Sequence, residues 1–328
     1  MQDPLLKVEK IGKSFGTKKV LSNVNFEIKP GEIIGLIGAS GSGKTTLLNM
    51  MIGFVSPDTG DVKYKESRVI ADKPSYKSVF KQQRRFKKIY GFAAQMPSFY
   101  EKLTVKENLY YFGELYKLSK EVLHSNVYSL LKLIDLETSS NIHAKNLSGG
   151  MERRLDIACS LIHNPQVLFM DEPTSDLDPI LRRSIWSLIK QINSRGTTVV
   201  VSSHHLNELE TLCHRIALIK DGTMIDIDTP ENLKSKYLKH HEIRIESSPG
   251  NYEELSASLK RKFSKEIKKI EIRGPELILL CQDHKNILDQ IVKLIEKNKE
   301  KIIELKLIKP SLNQVFLNLA GQQKNETN

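Results

Sequence analysis

Residues 38–45 combine glycines, a lysine and a threonine at the spacing that a phosphate-binding loop requires. They read Gly38-Ala39-Ser40-Gly41-Ser42-Gly43-Lys44-Thr45 and match the pattern G-x-x-x-x-G-K-[ST]. The glycines let backbone N–H groups surround a phosphate without Cβ clashes, and the helix that follows, with Thr46 in its first turn, favours an anion at its N-terminus. Lys44 is predicted to reach the β- and γ-phosphates, and the Thr45 hydroxyl to ligate Mg²⁺. The loop therefore predicts a site for ATP with magnesium.

A pair of carboxylates, Asp171-Glu172, follows the apolar run VLFMD. Open α/β sheets bind ligands at the carboxyl ends of their buried parallel strands, which is where this pair is expected to lie. Asp171 is predicted to help hold Mg²⁺, and Glu172 to polarise the water that attacks the γ-phosphate. The pair is a weak signal by itself, because buried strands often end in an acid, but it becomes specific when combined with the loop at 38–45.

The elements that would position these groups alternate between strand and helix. EIIGLIG, VLFMD and TVVVSS are short apolar runs typical of buried parallel strands, and helical patterns such as KTTLLNMMIG follow or separate them. Residues 5–29 are predicted to form two strands joined by a turn, and about 103–164 a helical insert. We therefore predict an α/β fold with a mixed-sheet core over residues 1–228.

The pattern changes after residue 228. Residues 229–321 follow the order β-α-β-β-α-β, which predicts a ferredoxin-like α+β domain that ends in the short helix SLNQVFLNLAG. The domain shows no catalytic group, and its role stays open. The polar tail 322–328 is predicted to be disordered.

Further motifs, in one order along residues 5–228, resemble those of ATP-binding cassette (ABC) ATPases. Leu147-Ser148-Gly149-Gly150-Met151 looks like the family's signature motif, and it lies upstream of the Asp171-Glu172 strand as the family requires. The other matches are Gln95 after GFAA, the segment Ser175–Asp178 that contains Asp176, His204 in SSHHLNELE, and Phe15. His205 competes with His204, but aligning SSH with the family's usual Ser-Thr-His favours His204 and leaves His205 as a solvent-facing residue at a helix start.

The resemblance implies a P-loop NTPase-type cassette whose residues divide the work of ATP hydrolysis. It implies that Phe15 stacks on adenine, that Gln95 senses Mg²⁺ and the attacking water, and that His204 contacts the γ-phosphate. Magnesium would then be held by Thr45, Gln95 and Asp171, and catalysis would use Lys44, Gln95, Glu172 and His204. Two cassettes would pack head to tail, as a homodimer or with a second cassette, and a partner copy would add Ser148, Gly149, Gly150 and Asp176 to each ATP.

The resemblance also implies a membrane partner. In ABC transporters the region after Gln95 receives a short helix from a separate permease, and Phe99 and Tyr100 are the expected contacts here. The C-terminal extension and its final helix look like those of daunorubicin-type drug exporters, so an exporter subunit is expected. Met151 departs from the family's usual glutamine, but Ser148 and the backbone of Gly149 and Gly150 remain, so activity is expected to survive.

Composition and charge limit the alternatives. The 328 residues contain three widely spaced cysteines and no apolar run of the roughly 20 residues that a membrane helix needs, so we expect a cytoplasmic protein. The resemblance then implies that it is peripheral on the inner face of the membrane, held there through its permease. Residues 63–88 carry ten Lys and Arg against two acids, and a solvated loop and helix face is the favoured interpretation. The competing function is a soluble ABC ATPase acting on nucleic acid or ribosomes, although the coiled coils and cysteine clusters of such relatives are missing.

Overall fold

The computed structural model describes residues 3–70, 73–238, 241–281, 287–308 and 311–321. The chain divides into two compact units, Met1–Pro230 and Glu231–Asn328. The tail 322–328, predicted to be disordered, lies outside the described residues.

The first unit is built on two sheets. Its strands are β1 Leu6–Phe15, β2 Lys18–Ile28, β3 Ile33–Ile37, β4 Thr59–Ile70, β5 Lys73–Ser78, β6 Tyr90–Ala93, β7 Val167–Asp171, β8 Thr198–Ser202, β9 Arg215–Lys220 and β10 Thr223–Asp228. One sheet has the order β2-β1-β4-β5, and the other has the order β10-β9-β3-β8-β7-β6. The predicted strands at 5–29, EIIGLIG, VLFMD and TVVVSS are all present.

The six-stranded sheet positions the residues that are candidates for ATP binding and hydrolysis. Strands β6, β7, β8, β3 and β9 run parallel to their neighbours, and β10 pairs antiparallel with β9. Strands β3, β7 and β8 are buried along their whole length, as their continuous apolar runs predicted. Because the strands are parallel, the loop at 38–45, the carboxylates after β7 and the histidines after β8 emerge at the same edge.

Helices pack on this sheet and form the insert between β6 and β7. Those of the first unit are α1 Lys44–Met51, α2 Gln83–Phe86, α3 Val105–Leu115, α4 Lys120–Leu133, α5 Gly149–Leu161, α6 Pro179–Ser194 and α7 Leu206–Leu212, and α8 Pro230–Tyr237 follows β10. The middle of the chain is not helical throughout. Between α4 and α5 the structure has turns and a single 3₁₀ turn at Ala144–Asn146, because the segment is rich in residues that prefer turns.

The basic segment 63–88 differs from its predicted form. It was expected to be a loop and a helix face, but most of it forms strands β4 and β5, which extend the antiparallel sheet, before the short helix α2. Three of its cations pair with acids: Lys63 with Glu9, Lys65 with Asp3, and Arg85 with Glu66. Its charge hid the strand pattern, since the side chains that alternate toward solvent are basic.

The second unit, Glu231–Asn328, begins within α8 and is built on an antiparallel sheet with helices. Its elements are β11 His241–Ser248, α9 Tyr252–Lys262, β12 Ile267–Arg273, β13 Glu276–Cys281, α10 Leu288–Lys297 and β14 Lys301–Ile308, with α11 Leu312–Gly321 after them. The sheet order β12-β13-β11-β14, with every neighbouring pair antiparallel, is that of a ferredoxin-like fold. Its core packs α9 and α10 against Ile243, Ile245, Leu277 and Leu279.

Candidate functional site

The loop at 38–45 has the backbone shape of a phosphate cradle. Gly41 and Gly43 have φ values of 78° and 101°, which residues other than glycine rarely adopt. A Cβ at Gly38 would lie 2.3 Å from Ser42 Oγ and 2.5 Å from the Ile219 carbonyl oxygen, so only glycine fits there. Ser42 Oγ is buried and has no hydrogen-bond partner within the described part of the chain, which leaves a donor for a ligand such as a phosphate oxygen.

Lys44 begins helix α1 and is largely buried. Its Nζ donates to the carbonyl oxygens of Gly38 and Ala39, at 2.9 and 3.2 Å. Burial lowers the pKa of this ammonium, and the nearby charges of Glu172 and Asp171 partly oppose that shift. Lys44 is therefore a cation held inside the loop by carbonyl oxygens, close to the two carboxylates after β7.

A cavity of about 480 Å³ adjoins this loop. It is lined by Phe15, Lys18, Val20, Ser40, Gly41, Gly43, Lys44, Thr45, Thr46, Gln95, Glu172 and His204. Residues from five separate parts of the sequence thus meet around one space large enough for a nucleotide. Phe15 is 52% exposed at the rim of this space, although an apolar side chain is usually buried, so it is accessible to a ligand.

Ser202 orients the two carboxylates after β7, and the sequence reasoning missed it. Ser202 Oγ donates to Asp171 Oδ1 at 2.5 Å and accepts from the Glu172 N–H at 3.0 Å. Glu172 has a φ of 48°, a left-handed backbone that glutamate adopts only when its surroundings impose it. The turn separates the two side chains, so that Asp171 lies buried against β8 and Glu172 faces the cavity.

His204 lies beside Glu172. The His204 Nδ1 is 2.8 Å from Glu172 Oε2, and the His204 backbone N–H donates to the same oxygen at 3.3 Å. The other candidate, His205, is half-buried rather than facing solvent as predicted, because Arg182 of α6 covers its ring. The cavity is lined by His204 and not by His205.

The loop that carries Gln95 is tied to helix α5. Arg153 donates to the carbonyl oxygens of Ala94 and Gln95, at 2.7 and 2.6 Å, and it pairs with Asp156 at 3.4 Å. Asp156 in turn accepts from the backbone N–H and the hydroxyl of Ser98, at 2.9 and 3.1 Å. Both side chains are buried, so this pair fixes the loop to the helix that begins at the signature motif.

The residues predicted to act in trans do not line this cavity. Ser148, Gly149 and Asp176 are exposed, and Ser148 precedes α5 without its side chain making a capping bond. Among the described residues outside its own helix and chain neighbours, no atom lies within 4 Å of a Cβ built on Gly149, whereas a Cβ on Gly150 would meet Leu181 at 2.8 Å. The cavity lining also contains Lys18 and Val20, which the sequence reasoning missed, and their alternation on β2 beside Phe15 was the available signal.

The chain is similar to known proteins along almost its whole length. The ABC transporter family model matches residues 21–175. The Nod factor export ATP-binding protein I of Rhizobium sp. (strain N33) is 32% identical over 318 residues, covering 95% of this chain and 96% of the relative. The linearmycin resistance ATP-binding protein LnrL of Bacillus subtilis (strain 168) is 31% identical over 320 residues, covering 97% and 99%.

A solved structure shows the same fold. The cbiO1 protein of Clostridium perfringens, described as part of the ABC transporter complex cbiONQ, has a TM-score of 0.63 at 22% identity and covers 80% of this chain and 97% of its own. No helix among the described residues is long and apolar enough to cross a membrane. From the phosphate loop, the site around it and the full-length similarity to these relatives, the chain belongs to the ATP-binding proteins of the ABC transporter family.

Proposed function

We propose that this ABC ATPase energises export through a separate membrane permease, by binding ATP between two cassettes and hydrolysing it. The observation that carries the proposal is the single cavity where Phe15, Lys44, Gln95, Glu172 and His204 meet. The relatives above are named for Nod factor export and linearmycin resistance, which supports the exporter direction. The substrate is set by the permease and is not encoded in this chain.

ATP binding uses the loop and the aromatic rim. The exposed face of Phe15 would stack on adenine, and the backbone N–H groups of residues 38–46 would surround the phosphates. Lys44 would transfer its ammonium from the loop carbonyls to phosphate oxygens, which are charged acceptors and hold it more strongly. Lys44→Ala is expected to lower hydrolysis by about 100-fold or more, measured as phosphate release.

Magnesium fits the donors at the same place. The hydroxyl of Thr45, the amide oxygen of Gln95 and the carboxylate of Asp171 are hard oxygen ligands of the kind Mg²⁺ takes. Within the described residues no group of three His, Cys, Asp or Glu side chains is arranged to hold a metal ion by itself, which is consistent with an ion held partly by phosphates and water. These three residues would hold the ion, which supplies charge neutralisation at the phosphates.

Hydrolysis needs a water aligned with the γ-phosphate. Glu172 faces the cavity, and its Oε2 is fixed by both the backbone and the ring of His204. In the proposed step Glu172 accepts a hydrogen bond from the attacking water and polarises it, while His204 holds the carboxylate and contacts the γ-phosphate. Gln95 lines the same cavity, so its loop would respond to the γ-phosphate.

The second half of each site would come from another cassette. Ser148 has a hydroxyl that makes no capping bond at the start of α5, so it and the N–H groups of Gly149 and Gly150 remain free to meet a phosphate. Asp176 is exposed and has a φ of 62°, a turn that presents its carboxylate outward. Head-to-tail packing would place these residues on the partner's ATP, in a homodimer or with a second cassette.

The permease contact is proposed near Phe99 and Tyr100. Tyr100 is 49% exposed and packs edge-on against Tyr111, whose hydroxyl lies 3.2 Å from its own. Leu115, one turn further along α3, is 61% exposed. These side chains form an apolar surface with polar tips, of the kind that receives a partner helix. Through this contact the chain would sit on the inner face of the membrane.

The proposal is tested by co-purification of a membrane protein with the chain and by stimulation of its ATPase activity. A tagged chain extracted from membranes in mild detergent is expected to carry a multi-helix membrane protein, and Tyr100→Ala to lose it while keeping its ATPase activity. The matched control is Tyr128→Ala, because Tyr128 is 64% exposed on α4 and away from Gln95. A chain that carries no membrane protein, but whose ATPase activity is stimulated by RNA in a strongly salt-dependent way, would establish the competing function.

A further inference from the structure

Helix α6 and the segment after β8 share a network of polar contacts next to His204. Arg182 Nη1 lies 3.2 Å from Nδ1 and 3.1 Å from Nε2 of His205. A single atom at nearly equal distances from both ring nitrogens must lie over the face of the imidazole, because an in-plane position would overlap the ring carbons. Arg182 therefore covers His205 as a cation on a π-face, and a neutral ring suits that contact.

The carboxylate of Glu208, in α7, contacts two side chains of α6. Its Oε1 is 3.4 Å from Arg182 Nη1, and its Oε2 accepts from Trp186 Nε1 at 2.6 Å. Trp186 is buried and the side chain of Arg182 is 20% exposed, so these contacts are partly shielded from water. One carboxylate thus joins α6 to the helix that follows the histidines.

The network reaches the proposed catalytic group through two histidine rings in contact. The ring of His205 packs on that of His204 with centroids 4.0 Å apart and planes at 43°. His204 Nδ1 then meets Glu172 Oε2 at 2.8 Å. Continuous contact runs from Arg182 through His205 and His204 to Glu172.

The other side of the same helical turn touches the signature motif. Leu181 fills the space that a Cβ on Gly150 would occupy, at 2.8 Å. Asp178 caps this turn by accepting from the N–H groups of Ile180 and Leu181, at 2.8 and 3.0 Å. The capped first turn of α6 therefore carries Leu181 on the signature glycine and Arg182 on His205.

We propose that Arg182 and Glu208 are positioning residues that hold His204 in place through His205. They also connect His204 to the signature motif through the first turn of α6. In a dimer the signature motif would face the partner's ATP, so this turn would link the two ATP sites. The inference rests on the proposed role of His204.

Electrostatics adds a dependence on pH. Burial, with the neighbouring His204 and Arg182, lowers the pKa of His205 below its usual value, while Glu208 and Glu172 oppose the shift. His205 is therefore neutral at and above the ordinary histidine range. When the pH falls below that range its ring gains a proton, and an imidazolium between Arg182 and His204 weakens the contact. Turnover is then expected to fall on the acid side.

The first test compares adjacent arginines. Arg182→Met is expected to lower kcat by about 10-fold with KM for ATP within about 2-fold, because a positioning residue acts on the reacting state. Arg183→Met is the control, since Arg183 is exposed on the next position of α6 and should leave kcat unchanged. Rates are divided by the number of sites that bind a non-hydrolysable ATP analogue, which removes losses from misfolding. Arg182→Lys keeps the charge but not the flat face, and should recover part of the rate.

The second test uses pH and a double variant. His205→Asn cannot be protonated, so its kcat at mildly acidic pH, relative to neutral pH, should exceed the same ratio for the wild type. Arg182→Met combined with His205→Asn should cost less than the product of the single losses. Independent effects, an unchanged pH ratio, or a normal kcat per site in Arg182→Met would each overturn the inference. His204→Ala, measured in parallel, tests the proposed function itself. If this variant retains full turnover, the role proposed for His204 in hydrolysis is wrong.

Discussion

Replacing Glu172 by glutamine removes the negative charge of the side chain but keeps its size and shape. The side chain is 14% exposed and its Oε2 is 3.3 Å from the His204 N–H that donates to it. A glutamine oxygen can accept that bond at the same place, so the loop after β8 and the nucleotide cavity should keep their form. The change removes the negative oxygen that polarises water.

The expected loss follows from this geometry. General-base catalysis contributes about 10²- to 10⁴-fold to a rate, which is roughly 3–5 kcal/mol of barrier. A partly buried carboxylate acts in a medium of low dielectric, so the upper half of this range is expected. ATP affinity should change less than about 2-fold, because the phosphate contacts lie on the loop at 38–46. ATP would then persist between two cassettes.

The assay is phosphate release together with light scattering in the presence of ATP and Mg²⁺. Glu172→Gln should hydrolyse at least about 1,000-fold more slowly and run as a dimer with ATP, while the wild type returns to monomer. The control is Glu137→Gln, an isosteric change at an exposed glutamate between α4 and α5. If Glu172→Gln keeps its rate within about 5-fold, Glu172 is not the general base. If it stays monomeric with ATP, the dimer is wrong for the isolated chain.

Three further predictions concern positions with distinct surroundings. Gly149→Ala should leave the melting temperature unchanged, because in the described part of the chain the added Cβ meets no atom within 4 Å beyond its own helix and chain neighbours. It should lower ATPase activity if a partner's ATP approaches there. Met151→Gln should change turnover only a few-fold, under about 1.5 kcal/mol of barrier, and complete loss would contradict this. Burial acts to raise the pKa of Glu300, but hydrogen bonds from Gly250, Ser247 and Asn251 bring it below its usual value. The ionised carboxylate therefore stabilises the folded state at pH values above the pKa that Glu300 has in the unfolded chain, and this stability is lost as the pH falls through the folded-state pKa. Glu300→Gln should therefore cost about 1–3 kcal/mol of unfolding free energy near neutral pH in denaturant titrations, with the difference shrinking in acid.

Local patterns determined much of this protein. The loop at 38–45 needs only its own glycines and a helix start, and the apolar runs of β3, β7 and β8 need only burial on both faces, so the sequence predicted them correctly. The βαββαβ order of the second unit was equally readable, because period-2 and period-3.6 patterns alternate cleanly there. The strands of the basic segment were missed, since positions that alternate toward solvent, such as Lys63 and Lys65, carry lysine instead of ordinary strand residues.

Contacts between distant segments were decided only by the tertiary structure. Ser202 joins the two carboxylates of the site, and Arg153 ties the Gln95 loop to the signature helix, yet neither residue stands in a recognisable spacing. His205 was expected to face solvent, but Arg182, 23 positions away, covers it. The physical reason is that a parallel sheet gathers loops from across the chain at one edge, where side-chain geometry, and not sequence period, selects the partners.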